Sequence, residues 1–188
     1  MNNGFPEPHP TIQHTKNWIQ KVVIGLNFCP FAAKPFLKDA IRYTIHSPAT
    51  LQSALEQLAR ELDVLDHQSE ITTGFLIFPD GFADFFDYLD LVELAEELLA
   101  DLDYEGVYQV ASFHPDYQFA GNEKEDPANY TNRSPYPMLH LIREDSITEA
   151  LEHFSDPENI PEQNRLTAQE KGLATMKALR KSCFENPN

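Results

Sequence analysis

The chain has 188 residues, 41% hydrophobic and 23% charged, with 14 Lys and Arg against 30 Asp and Glu, a net charge of −16. That is enough for one domain with a real core and short for two. Nucleic-acid binders and proteins that dock on anionic membranes present basic surfaces, so this charge argues against both as partners. No apolar run approaches the roughly 20 residues of a membrane span. The first ten residues lack the basic and apolar regions of a signal peptide, so Cys29 and Cys183 are expected to be reduced thiols in a cytoplasm.

In chain order, residues 1–10 are Pro- and Asn-rich and are expected to be disordered. Thr11 is a suitable N-cap, and Thr15, Trp18, Ile19, Val22 and Val23 recur at helical spacing towards a stop near Gly25. Asn27 to Phe31 enters an irregular stretch that Pro30 and Pro35 are expected to keep out of helix. Residues 40–46 alternate as a strand, and Ser47-Pro48 is read as the cap and first position of a helix with Leu51, Leu55, Leu58, Leu62 and Leu65 on one face. Residues 72–78 form a second strand, closed by Pro79-Asp80-Gly81.

The next helix is expected to bury Phe82, Phe85, Phe86, Leu89, Val92, Leu98, Leu99 and Leu102. Residues 80–105 hold ten acidic residues and no Lys or Arg, which makes either a solvated face or a patch for a basic partner. Strands follow at 107–113 and 138–142, separated by the loop 114–137. Ser146 to Glu149 reads as a capping box opening a short helix with Ile147, Leu151 and Phe154. A polar helix is expected from about Pro161 to Arg180, and residues 183–188 are expected to be a disordered tail.

This order implies a single α/β domain over residues 11–182, with a mixed sheet of about four strands and helices packed on it. A two-layer α+β, ferredoxin-like arrangement is the alternative.

Loop 114–137 attracts the functional reading. It is long for a compact domain, yet it carries Tyr117, Phe119, Tyr130 and Tyr136 with four prolines, so it is expected to be ordered. His114 ends a strand and forms His-x-Asp with Asp116, a pair suited to an oriented general base or to two metal ligands. Arg133, among Asn132, Ser134 and Tyr136, suits bidentate binding of a carboxylate or phosphate, or a staple to loop carbonyls. Cys29 follows a helix C-terminus, which does not activate a thiol, so a nucleophilic role needs a neighbour such as His114 or Arg133. A small buried thiol between Phe28 and Phe31 is the simpler reading. His140, within a strand, reads as a core histidine, and Cys183 as incidental. No nucleotide-binding or zincin motif occurs, so no cofactor is named.

Three blocks carry a family resemblance: Asn17-Trp18 with Val23 to Ala32, Gln109 to Gly121, and Asn129 to Pro137 with Leu139 to Glu144. They resemble a bacterial family catalogued as domain of unknown function 1415, over most of residues 12–165. The resemblance implies a compact cytoplasmic domain and carries over no catalytic residue. Residues 165–188 are longer and more polar than the end usual in that family.

The residues support three readings. The first is a small-molecule enzyme, with Cys29 as nucleophile, His114 as base and Asp116 as its orienter. Arg133 would anchor an anionic substrate, with Asn27, Asn132 and Tyr117 also binding it. The second is a metal- or ligand-binding protein using His114, Asp116, His140 and Cys29. The third is an interaction module presenting Glu93, Glu97 and Asp101.

Overall fold

The computed structural model describes residues 9–151 and 156–185. Its centre is one mixed sheet of four strands in the order β1-β2-β4-β3, where β1 is Ile41–Ile45, β2 Thr73–Ile77, β3 Tyr108–Phe113 and β4 Met138–Arg143. β1 and β2 pair in parallel across the helical crossover α3, Leu51–His67. β2 and β3 are also joined by a helix, α4 (Phe85–Asp101), but are not neighbours. β4 inserts between them, antiparallel to both. Helices pack on both faces, so the arrangement is the mixed α/β sheet and not the two-layer alternative.

One face is covered by α3 and α4. Ala54, Leu58, Leu62 and Leu65 of α3 are buried at helical spacing against Leu76, Leu139 and Leu141 of the sheet. On α4 the buried line is Tyr88, Leu91, Ala95 and Leu99. The helix holds more apolar residues than one stripe can bury, and the register through Tyr88 leaves Phe86 75%, Leu89 38% and Leu102 40% exposed. That corrects the expectation that all three are core residues. Tyr88 fixes the register because its hydroxyl donates to Met138 O at 2.8 Å and accepts from Phe113 N–H at 2.9 Å.

The other face is covered by the N-terminal and C-terminal helices. α1, Pro10–Trp18, continues as a π-helix over Ile19–Ile24. Its cap is His9, whose Nδ1 accepts from Thr11 N–H, with Pro10 opening the helix; Thr11 itself is buried inside. Gly25 does lie at the helix end, and a Cβ there would stand 2.4 Å from Lys21 O. The left-handed residue is Asn27, at φ 56°.

Four further boundaries differ from expectation. A helix α2 forms at Ala33–Leu37, because Pro35 falls in its first turn, where the missing N–H has no intrahelical partner to lose. α3 is capped by Thr50 through a Thr50–Ser53 capping box, while Ser47-Pro48 is a cis peptide upstream of it. α5, Glu144–Leu151, starts directly from β4, so Ser146 lies inside it. Phe154 lies outside the described residues. Finally, the expected polar helix is two helices, α6 (Ile160–Lys171) and α7 (Leu173–Ser182), broken at Gly172 with φ 77°. Cys183, expected in a disordered tail, is fully buried against the helical layer, and Asn17 Nδ2 donates to its carbonyl at 3.0 Å.

Candidate functional site

Strand alternation divides the nominated residues. At the end of β3, Phe113 faces the layer of α1 and α7, whereas His114 turns to α4 and packs 5.2 Å from Phe85 and 5.0 Å from Tyr88, ring to ring. His114 is fully buried. Its Nε2–H donates to Phe82 O at 2.8 Å, and its Nδ1 accepts from Asp116 N–H at 2.9 Å. Both ring nitrogens are thereby committed, and burial holds its pKa below the ordinary histidine value. Asp116 meets the ring through its backbone, with its side chain exposed.

Cys29 lies on the opposite face. It lines a cleft of about 580 Å³ with Phe28, Phe113, Asn132 and Asn164. The structure thus brings Cys29 and Asn132 together and does not bring the His114 imidazole to the thiol. Burial raises the Cys29 pKa, and the backbone N–H groups of Phe31 and Ala32, just before α2, oppose that rise. Asn27 is exposed and serves as the left-handed residue of the turn that delivers Cys29.

The loop is ordered through its own polar side chains. Asn129, fully buried, accepts from Phe119 N–H and donates to Glu123 O and Lys124 O. Arg133, 6% exposed, donates from Nε to Tyr117 O at 2.9 Å and from a terminal nitrogen to Lys124 O at 2.7 Å, with its guanidinium 4.7 Å from the Tyr130 ring centroid. It staples the loop. Asn132 donates to Ser112 O at 3.1 Å, joining loop to strand. Tyr117 packs its ring between Phe85 and Phe119.

The third wall of the cleft was not expected from the sequence. Glu158, Glu162, Asn164 and Arg165 reach it from α6 and the turn before it. Asn164 Nδ2 donates to Phe28 O at 2.6 Å, and Arg165 pairs with Glu162 at 2.6 and 2.8 Å on the rim. The available signal was an isolated Asn and a charged pair three residues apart in a weakly periodic helix. Val23, Phe28, Phe113, Phe119 and Ala128 supply the apolar lining.

His140, the remaining candidate ligand, stacks 4.1 Å from Phe75 and donates from Nε2 to Thr73 Oγ1, whose hydroxyl donates to Leu141 O. Burial pushes its pKa down to about 3. Among the described residues, no group of three or more His, Cys, Asp or Glu is placed to hold a metal ion. No helix among them is long and apolar enough to cross a membrane.

Fold and cleft together define an α/β protein with a surface cleft walled by three segments far apart in sequence. The chain belongs to the family described as "Protein of unknown function (DUF1415)", whose model matches residues 10–178. No curated protein and no solved structure matches it.

Proposed function

We propose that this is a cytoplasmic ligand-binding protein whose cleft takes a small organic molecule against the Cys29 thiol. The observation that carries the reading is the shared wall. The 27–31 turn, the 114–137 loop and α6 contribute to one cleft of about 580 Å³ with an apolar lining and polar edges. Small-molecule sites have this size and character, roughly 300–1,000 Å³ with a few placed polar groups. The polar residues of the loop then make sense as the scaffold that holds the wall still.

A second reading keeps covalent chemistry at Cys29. It is favoured by the backbone N–H groups of Phe31 and Ala32, which act to lower the Cys29 pKa against the effect of burial. In that case the base comes from the ligand, because the His114 ring is hydrogen-bonded on the other face.

The test is a panel of small metabolites read by thermal shift and by protection of Cys29 from iodoacetamide, in a Cys183→Ala background. A ligand of the cleft raises the melting temperature, slows alkylation, and loses binding once Cys29 is carbamidomethylated. A ligand that stabilises the protein equally before and after alkylation binds elsewhere and removes the proposal. Turnover of a bound compound that disappears in Cys29→Ser selects the second reading.

A further inference from the structure

A second cavity lies behind the loop. It measures about 220 Å³ and is lined by Tyr130, Lys177, Arg180, Lys181 and Phe184. Three of its five lining residues are cations, in a chain of net charge −16, and α7 carries no acidic residue at all. The placing of Arg180 and Lys181 in the last turn is favourable to the helix dipole in its own right. That accounts for neither Lys177, further up the helix, nor the burial of Arg180.

Arg180 is half-buried, and its described hydrogen bond is from Nε to Ser134 O at 3.1 Å. Arg133, buried beneath Tyr130, sends its hydrogen bonds to carbonyls. Neither guanidinium forms an ion pair among the described residues, although burying cations without anionic partners is costly. Desolvation is the main cause that lowers the Arg180 pKa; Asp116 opposes it and Arg133 adds to it. The described acid paired within the cluster is Glu125, 2.8 Å from Lys177, and both are exposed. The cavity is therefore lined by one half-buried guanidinium and two exposed ammonium groups, and among the described residues Glu125 is the carboxylate that pairs with them. The cavity's size suits a headgroup, being below the roughly 300 Å³ at which drug-sized sites begin.

We propose that this cavity binds the phosphate of a small phosphomonoester, gripped by Lys177, Arg180 and Lys181, with the organic part against Tyr130 and Phe184. Arg180 supplies a guanidinium fork whose Nε is already fixed to Ser134 O, so little side-chain entropy is lost on binding. Lys177 and Lys181 lie one helical turn apart and close on the same anion as mobile point charges. Glu125 competes with it for Lys177.

The test is calorimetric titration of the full chain at low ionic strength with phenyl phosphate and inorganic phosphate, against sodium chloride at matched ionic strength. Phenyl phosphate should bind saturably at one site, about tenfold tighter than inorganic phosphate. Lys177→Gln with Lys181→Gln, both exposed and hence safe for the fold, should weaken it about tenfold or more, and Glu125→Gln should tighten it. Alkylation of Cys29 should leave it unchanged, which separates this site from the cleft. Equal affinities for the two phosphates would overturn the organic part of the assignment. No saturable heat with either, or an affinity unmoved by the double lysine variant, would overturn the site.

Discussion

Asn164 donates a 2.6 Å hydrogen bond to the carbonyl of Phe28, 136 residues earlier in the chain. That bond ties α6 to the turn that presents Cys29, so one side chain positions two walls of the cleft. Replacing Asn164 by Ala leaves the Phe28 carbonyl without this partner and loosens the wall. We expect a loss of about 1–2 kcal/mol in stability and faster alkylation of Cys29 at pH 7.5. Urea unfolding and iodoacetamide kinetics check the two halves. An unchanged alkylation rate alongside lost stability would mean that α6 does not control access to the thiol.

Asn129, not among the residues nominated for chemistry, is a buried anchor of the loop. Its amide is fully buried and makes bonds at both ends, to Phe119 N–H and to the Glu123 and Lys124 carbonyls. Asn129→Ala strands several backbone groups, and about 2–4 kcal/mol is expected to be lost. Limited proteolysis should then cut within residues 116–126 well before the helices. Persistence of the loop against protease would show that Arg133 and Tyr130 alone hold it.

His114 and His140 give the protein a pH signature. Both are held below the ordinary histidine pKa, His140 at about 3, with burial as the main cause. The unfolded chain binds protons near pH 6.5 that the native state refuses, so stability falls as pH drops below that value. At pH 5.5, one unit below the unfolded pKa, His140 alone costs about 1.4 kcal/mol relative to high pH. His140→Phe keeps the stacking shape against Phe75 and removes the titration, so its stability curve should be flatter between pH 7 and pH 4. A variant curve parallel to the wild type over that range would remove His140 as the source and leave the slope to His114 and the carboxylates.

The order of secondary elements is local information. The alternation of residues 40–46, the run of strand formers at 72–78, the leucine line of α3 and the turn at Pro79-Asp80-Gly81 are legible because period, propensity and turn chemistry act over a few residues. The family blocks are equally legible, and they mark both the cleft wall and the loop that supports it. Where local signals were redundant, reading failed. α4 has apolar residues on more than one stripe, and the buried one is the stripe whose Tyr88 hydroxyl bonds to the backbone of both β3 and β4.

Everything concerning juxtaposition belongs to the tertiary structure. Nothing in the order of the strands says that β4 enters between β2 and β3. Nor does composition reveal that the chain breaks at Gly172 between α6 and α7, that Cys183 is buried, or that Asn164 of α6 reaches Phe28. The sequence by itself determined which residues are unusual: Cys29, His114, Asn132 and Arg133 lie in loops and strand ends that a core does not require. Whether they meet depends on the side of the sheet each one faces. A strand end reverses that side at every residue, so Phe113 joins the cleft and His114, one position on, is committed to the opposite layer.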